Sequence, residues 1–256
     1  METKRAARLH KIRQALIDRE TVHLRTMAGE LGVSEMTLRR DLADAADDLM
    51  LLGGYITSRH ETPTYYVPDQ SGQQMPEKHK IARIAAGFVQ AGDTVFFDCG
   101  TTTPMVADAI PDDLPFTAIC NSLNVLMTLQ KKQECSVILC GGRLHRRNLV
   151  FENGRASDVL NGLRISRAFL SAAGIDIQCG ITCFRPEEVH VKQQVIAQSK
   201  HRFLLADHTK FDVVRPAHFA DLNDFQVIIS DQEPSAQYRE MVEMGGGQFL
   251  VATSEK

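Results

Sequence analysis

Two short stretches hold side chains whose types and spacing could do chemistry. The first is Ser34-Glu35-Met36-Thr37-Leu38-Arg39-Arg40-Asp41-Leu42, where two adjacent guanidiniums, two hydroxyls and a thioether fall within a few residues. Guanidinium forks pair with guanine edges or phosphate oxygens, a hydroxyl can contact phosphate, and a thioether can meet a thymine methyl. The second is Asp98-Cys99-Gly100-Thr101-Thr102-Thr103-Pro104. Here Gly100 permits close backbone approach, N–H groups at a helix start can receive an anion, and three hydroxyls add donors. One stretch suits nucleic-acid readout and the other suits a phosphate.

The first stretch needs a helix that turns its polar side outward. At about 100° per residue, Leu38 and Leu42 define a buried face, Met36 and Arg40 lie nearly opposite, and Thr37 and Arg39 flank them. Upstream, Leu24, Ala28 and Leu31 recur at helical spacing and predict a helix over Arg25–Leu31. Gly32 frees the turn and Val33 plugs it. Ser34 is a good N-cap for a second helix, Glu35–Ala45, and Glu35 suits its positive end. The small Ala28 lets the two helices close up, as a helix-turn-helix requires. A helix over 4–19, with Leu9, Ile12 and Leu16 inward, packs on the pair. Then LMLLGGYIT sets apolar runs around Gly53-Gly54, the pattern of a two-residue hairpin or wing. The acidic run Asp41, Asp44, Asp47 and Asp48 before it argues against wing contacts with DNA.

Composition sorts the chain into two parts. Its 256 residues, 43% hydrophobic, can hold one large domain and a small one. A net charge of −3 offers no global field for nucleic acid. Up to Arg40, however, Lys4, Arg5, Arg8, Lys11, Arg13, Arg19, Arg25, Arg39 and Arg40 face only Glu2, Asp18, Glu20, Glu30 and Glu35. That is the footprint of a DNA-reading head on an acidic body. Cys99, Cys120 and Cys140 end apolar runs and read as buried small hydrophobes. Cys179 and Cys183 lack a second pair or a His cluster, so neither a metal nor another cofactor is expected. With no membrane-length apolar run and a charged start unlike a signal peptide, a soluble cytoplasmic protein with reduced thiols is expected.

Residues 58–76, rich in Pro, Gln and Ser, read as a linker. From Glu77 short apolar strands (TVFFDC, FTAIC, SVILC, AFLSAA, RFLLAD, FQVIIS, QFLVA) alternate with helices, which predicts a doubly wound, mostly parallel α/β sheet. Ligands of such sheets bind beyond the carboxyl ends of the strands. The Asp98–Thr103 turn lies there, as do Asn121 and Ser122, Gly141 and Gly142, Gly174, and Asp207 with Lys210. Together they suit a small phosphorylated ligand. The pattern is not a P-loop, because no Gly-Lys-Ser/Thr follows.

VSEMTLRRDL resembles the recognition-helix signature of the DeoR family of bacterial repressors. METKRAARLHKI, LLGGYI, FFDCGTTTP, SAAG and VRPA extend the resemblance over nearly the whole chain. It implies a winged helix-turn-helix DNA-binding domain at 1–57, the linker at 58–76, and a sugar-phosphate-sensing domain at 77–256. That sensor would be similar to ribose-phosphate isomerases and glucosamine-phosphate deaminases. Ser34, Met36, Thr37, Arg39 and Arg40 are then the operator-facing residues. Gly100, Thr101, Thr102 and Thr103 become the phosphate cradle, and Asp98, Asn121, Gly174, Lys192 and Lys210 match positions such sensors share, with Gly141 beside them. The resemblance also implies repression of deoxyribonucleoside catabolism genes and deoxyribose-5-phosphate as effector. A single small head offers too little interface for tight operator binding, so a homo-oligomer is expected. One departure is the wing, where many relatives carry an arginine and this chain has Leu51-Leu52. The rival reading is a sugar-phosphate isomerase or deaminase, whose relatives carry Asp-Gly-Ala-Asp/Glu after the central strand. This chain reads Ala172-Ala173-Gly174-Ile175-Asp176; the acid before the glycine is missing, which favours a non-catalytic switch.

Overall fold

Three helices and a small hairpin build the head. They are α1 (Glu2–Asp18), α2 (Leu24–Leu31) and α3 (Glu35–Ala43), with strands β1 (Val22–His23), β2 (Leu49–Leu52) and β3 (Tyr55–Ser58). The inner stripe of α1, Leu9, Ile12 and Leu16, meets Met27 and Ala28 of α2, Leu38 and Leu42 of α3, and Ile56 of the hairpin. Gly32, at φ 64, ends α2 in the left-handed conformation and returns its N–H to Ala28 and Gly29 carbonyls. Gly53 and Gly54 take φ of 56 and 88, the two positive values a tight hairpin turn of this kind requires. The expected wing is therefore present, in a three-stranded antiparallel sheet of order β1-β3-β2. α2 begins one residue earlier than its apolar spacing predicts, because the His23 side chain accepts the Arg25 N–H at 3.1 Å and caps it.

The structure, a computed structural model, describes residues 2–18, 21–43, 49–58, 74–146, 148–152 and 156–252. Asp44, Asp47 and Asp48 and the expected linker from 59 to 73 lie outside them.

The body begins with α4 (Met75–Ala86), which takes in the last two residues of the expected linker. It continues through β4 (Thr94–Phe97), α5 (Thr103–Ala109), β5 (Phe116–Cys120), α6 (Leu123–Leu129), β6 (Cys135–Leu139), β7 (Arg143–His145) and β8 (Val150–Glu152). Next come α7 (Ala156–Asn161), β9 (Ile165–Ser171), β10 (Gly174–Asp176), β11 (Gly180–Cys183), α8 (Pro186–Gln198) and β12 (Ser199–Leu205). β13 (Ala217–Ala220), β14 (Val227–Ser230), α9 (Ala236–Met244) and β15 (Gln248–Val251) complete it. Seven of these strands form one sheet, all parallel, in the order β15-β14-β12-β9-β4-β5-β6.

Alternation along each strand divides the core between the two sheet faces. Val95 and Phe97 join Phe169 and Phe203 beneath Ile81 and Ala85 of α4, Val106 of α5 and Val125 of α6. Phe96 joins Ala168, Leu170 and Leu204 beneath Val191 and Val195 of α8 and Tyr238 and Val242 of α9. From β4 the chain winds outward through β5 to β6, then returns to the other side of β4 at β9. The topological switch point therefore falls between β4 and β9, where such sheets open a crevice.

Two features have no counterpart in the sequence reading. One is the β7–β8 hairpin, and the other is a separate antiparallel sheet of order β10-β11-β13. Turns beside that small sheet touch the head. The Thr21 hydroxyl donates to the Val214 carbonyl at 3.3 Å, the Tyr55 hydroxyl lies 3.0 Å from Cys179 Sγ, and a Cβ on Gly53 would stand 3.3 Å from the Pro216 carbonyl. Among the described residues no helix is long and apolar enough to cross a membrane, and no cluster of His, Cys, Asp and Glu could hold a metal.

Candidate functional site

α3 presents the face its spacing predicts. Met36 is 75% exposed, Arg39 and Arg40 are exposed, and Leu38 and Leu42 are buried behind them. Ser34 caps the helix: it accepts the Thr37 N–H at 3.1 Å, and the two side-chain hydroxyls lie 2.9 Å apart. Both hydroxyls thus also serve the helix start, while Met36, Arg39 and Arg40 project outward. Asp41, one of the acidic run, is buried and bound by Arg8 at 2.7 Å, so it shows no carboxylate at the surface.

The body places its cavity at the switch point. The loop after β4 supplies Cys99, Gly100, Thr101 and Thr102; the end of β9 and its loop supply Ser171, Ala172 and Ala173. β12 and its loop bring Leu205, Ala206, Asp207 and Lys210. Lys78 arrives from α4, and Cys183, Phe184, Glu188 and Lys192 from the end of β11 and from α8.

Of the residues singled out in the sequence, Gly100, Thr101, Thr102, Lys192 and Lys210 meet in this cavity. Asp98, Thr103, Asn121, Gly141 and Gly174 do not line it. Asp98 lies just beneath: its Oδ2 accepts the Ser171 N–H at 2.9 Å, the Ser171 hydroxyl at 3.1 Å and a short bond from Lys192 Nζ. The Thr103 hydroxyl donates to the Asp98 carbonyl at 2.7 Å, tying the turn to itself. Asn121 is buried under the β7–β8 hairpin, its carbonyl accepting the Phe151 N–H at 2.7 Å. Gly141 follows β6, the sheet edge two strands from β4. Gly174 is a close-approach glycine of the small sheet, since a Cβ there would stand 2.4 Å from the Val213 carbonyl.

Charge in the cavity is divided between two poles. At one, Lys78 is buried on α4; burial lowers its pKa, Asp207 raises it, and Lys210 lowers it again. Lys210 Nζ stands 4.0 Å from Asp207 Oδ2, the same carboxylate that raises the Lys78 pKa, with Glu77 adding to it. At the other pole burial pulls the Lys192 pKa down, but Asp98 foremost, with Cys99 and Glu188, raises it above the usual lysine range. Lys192 also donates to the Ser171 carbonyl at 3.2 Å and lies 4.9 Å from the centre of the Phe219 ring. Glu188 accepts from Asn148 Nδ2 at 2.8 Å and from Cys99 Sγ at 3.5 Å; burial raises its pKa more than Lys192 and Asn148 lower it. Burial pushes the Cys183 thiol up to about 12 and Cys99 well above its usual value, so neither is a poised nucleophile.

Lys78 and Glu188 were missed in the sequence, although signals existed. Lys78, Ile81, Ala82 and Ala85 share one helical stripe, which turns the lysine inward. Glu188 and Lys192 stand at i, i+4 with the apolar Val191 and Val195 beside them, which likewise turns a carboxylate toward the core.

Residues 8–57 match the DeoR-like helix-turn-helix domain, and residues 73–232 match the DeoR C terminal sensor domain. The chain is 41% identical over 239 residues to the deoxyribose operon repressor of Escherichia coli (strain K12), covering 93% of this chain and 95% of that one. It is 31% identical over 207 residues to the glycerol-3-phosphate regulon repressor of the same strain, covering 79% and 81%. Among solved structures, ribose 5-phosphate isomerase A from Neisseria gonorrhoeae is similar with a TM-score of 0.40 at 15% identity, covering 54% of this chain and 53% of that one. At that level the likeness carries no argument about activity.

Proposed function

This chain belongs to the DeoR family of transcriptional repressors, and from that premise we propose that it represses deoxyribose or deoxyribonucleoside catabolism genes and leaves its operator when a sugar phosphate fills the cavity. Deoxyribose-5-phosphate is the first candidate, because the relative 41% identical to this chain over 93% of it is named for the deoxyribose operon. The observation that supports an anionic ligand is that Lys78 and Lys210 line one cavity with the Gly100–Thr102 turn. A ligand that prefers a conformation or assembly whose heads cannot span their half-sites lowers DNA affinity, and DNA lowers ligand affinity equally. Paired heads call for a homo-oligomer, since one small head buries too little DNA surface. The competing reading is an isomerase or deaminase. It draws on the cavity carboxylate Glu188, because such chemistry moves a proton beside a carbonyl. On the repressor reading neither ribose nor hexosamine phosphates are turned over.

The test is operator binding titrated with deoxyribose-5-phosphate, using the parent protein and Thr102→Glu. The Thr102 side chain lines the cavity and makes no capping bond to α5, so the substitution removes no cap while setting a carboxylate against the phosphate. The variant should bind operator normally and ignore the sugar phosphate; Lys210→Ala should shift the same way, more weakly. A Thr102→Glu protein that releases DNA at the parent's ligand concentration would place the phosphate elsewhere.

A further inference from the structure

Resting on the sugar-phosphate reading of this cavity, we propose that Glu188 reads the sugar by accepting its hydroxyl hydrogens at the pole opposite the phosphate. The effector class is then a phosphate monoester of a short polyhydroxy chain or ring.

The placement of the two poles supports this. Lys78 rides on α4, which packs against the Val95 and Phe97 face of the sheet, and Glu188 on α8, which packs against the Phe96 face. They meet only across the open ends of β4, β9 and β12. Asp207, Lys210 and Glu77 act on the charge of Lys78, whereas Lys192 and Asp98 act on that of Glu188. One end of the cavity thus offers the ammonium groups of Lys78 and Lys210 to an anion, and the other offers the Glu188 carboxylate beside Lys192, whose charge Asp98 already answers.

Glu188 is also held ready. Asn148 fixes one carboxylate oxygen and Cys99 the other. Each oxygen has two lone-pair sites, so each keeps room for one further donor. Two neighbouring sugar hydroxyls could bridge them. The fold alone gives little reason for a carboxylate here, because Asp98 already answers the charge of Lys192. A buried carboxylate is costly, and burial already disfavours the charged form of Glu188, a pattern common where the charge serves a ligand.

The experiment is calorimetric titration of the full chain and of Glu188→Gln with deoxyribose-5-phosphate, ribose-5-phosphate and inorganic phosphate. Glu188→Gln should weaken the sugar phosphates by about tenfold or more, the size of one hydrogen bond to a charged group, and leave inorganic phosphate unchanged. Asn148 lies outside the cavity wall, so Asn148→Ala should give a smaller loss with the same selectivity by releasing one carboxylate oxygen. If Glu188→Gln fails to fold, that second variant decides: no selective loss in it overturns the proposal. Equal affinities in parent and Glu188→Gln, or equal losses for sugar phosphate and inorganic phosphate, overturn the assignment of Glu188 and leave the effector reading standing. A parent protein that binds inorganic phosphate but no sugar phosphate overturns both. So does one that binds neither. Turnover of a sugar phosphate that disappears in Glu188→Gln would make this residue a base and overturn its role as an anchor.

Discussion

Lys192→Met removes one half of an ion pair that the fold has sealed from water. Both side chains of the pair are 2% exposed. In the variant Asp98 keeps only the N–H and hydroxyl of Ser171, two neutral donors, for a full buried charge. Stranding one partner of such a pair typically costs about 3–5 kcal/mol. For a domain of this size each kcal/mol shifts Tm by a few degrees, so the sensor transition should fall by roughly 6–20 °C. Asp98→Asn strands the ammonium instead and should cost a similar amount. The double variant, which replaces the pair with neutral groups of similar volume, should lose less than the two singles together, because a missing pair leaves no orphan charge. Differential scanning calorimetry of the full-length proteins measures all four states, following the sensor transition separately because two domains need not unfold together. Strictly additive losses would refute the coupling. A Lys192→Met protein with an unchanged Tm and no effector binding would show that this lysine serves the ligand rather than the fold.

If Arg40 reads a base edge, Arg40→Ala should cost about 1–3 kcal/mol on operator DNA while sparing nonspecific binding, measured by fluorescence anisotropy. Unchanged operator affinity in Arg39→Ala combined with Arg40→Ala would remove α3 from the interface. The raised pKa of Glu188, with burial as its main cause, predicts a pH-dependent stability. Its contribution is fully present below the unfolded value, about 4.3, and is lost as pH rises through the higher folded value. Glu188→Gln lacks that loss, so its Tm should exceed the parent's by a gap that opens above about pH 4. No gap at mildly alkaline pH, in thermal scans across the range, would mean Lys192 and Asn148 outweigh burial.

The head was legible because its signals are local. Apolar residues at helical spacing, a capping Ser34 and the Gly53-Gly54 pair each act within a few residues. The parallel sheet was legible for a related reason, since strands buried on both faces read as unbroken apolar runs. β10 and β11 escaped notice because GID and GITC are too short to show a period of two, and β7 and β8 have three residues each. In the cavity, Gly100 to Thr102 could be read because one turn supplies them all. Lys78 and Glu188 come from helices on opposite faces and meet only once the sheet has formed. Asn121 and Gly141 sit at strand ends too, but on the side of β4 away from β9, and strand order is a tertiary fact. Asp98 and Thr103 belong to the right turn; what local sequence does not encode is that their side chains fold back into the protein.

The contact between wing and small sheet has a consequence for how firmly the head is held. Thr21, Gly53 and Tyr55 rest on turns at Val214, Pro216 and Cys179. Head and body are one chain, so this docking is favoured by an effective concentration of about millimolar order, as for modules joined by a short flexible linker. A weak contact then suffices to bias the head toward one pose, and a change of about 1.4 kcal/mol alters its docked fraction relative to the free one by tenfold. Gly53 therefore answers to two demands, the hairpin's positive φ and the neighbouring Pro216 carbonyl. Substitutions at the wing tip can reset how often the head is presented to DNA without altering a single side chain of α3.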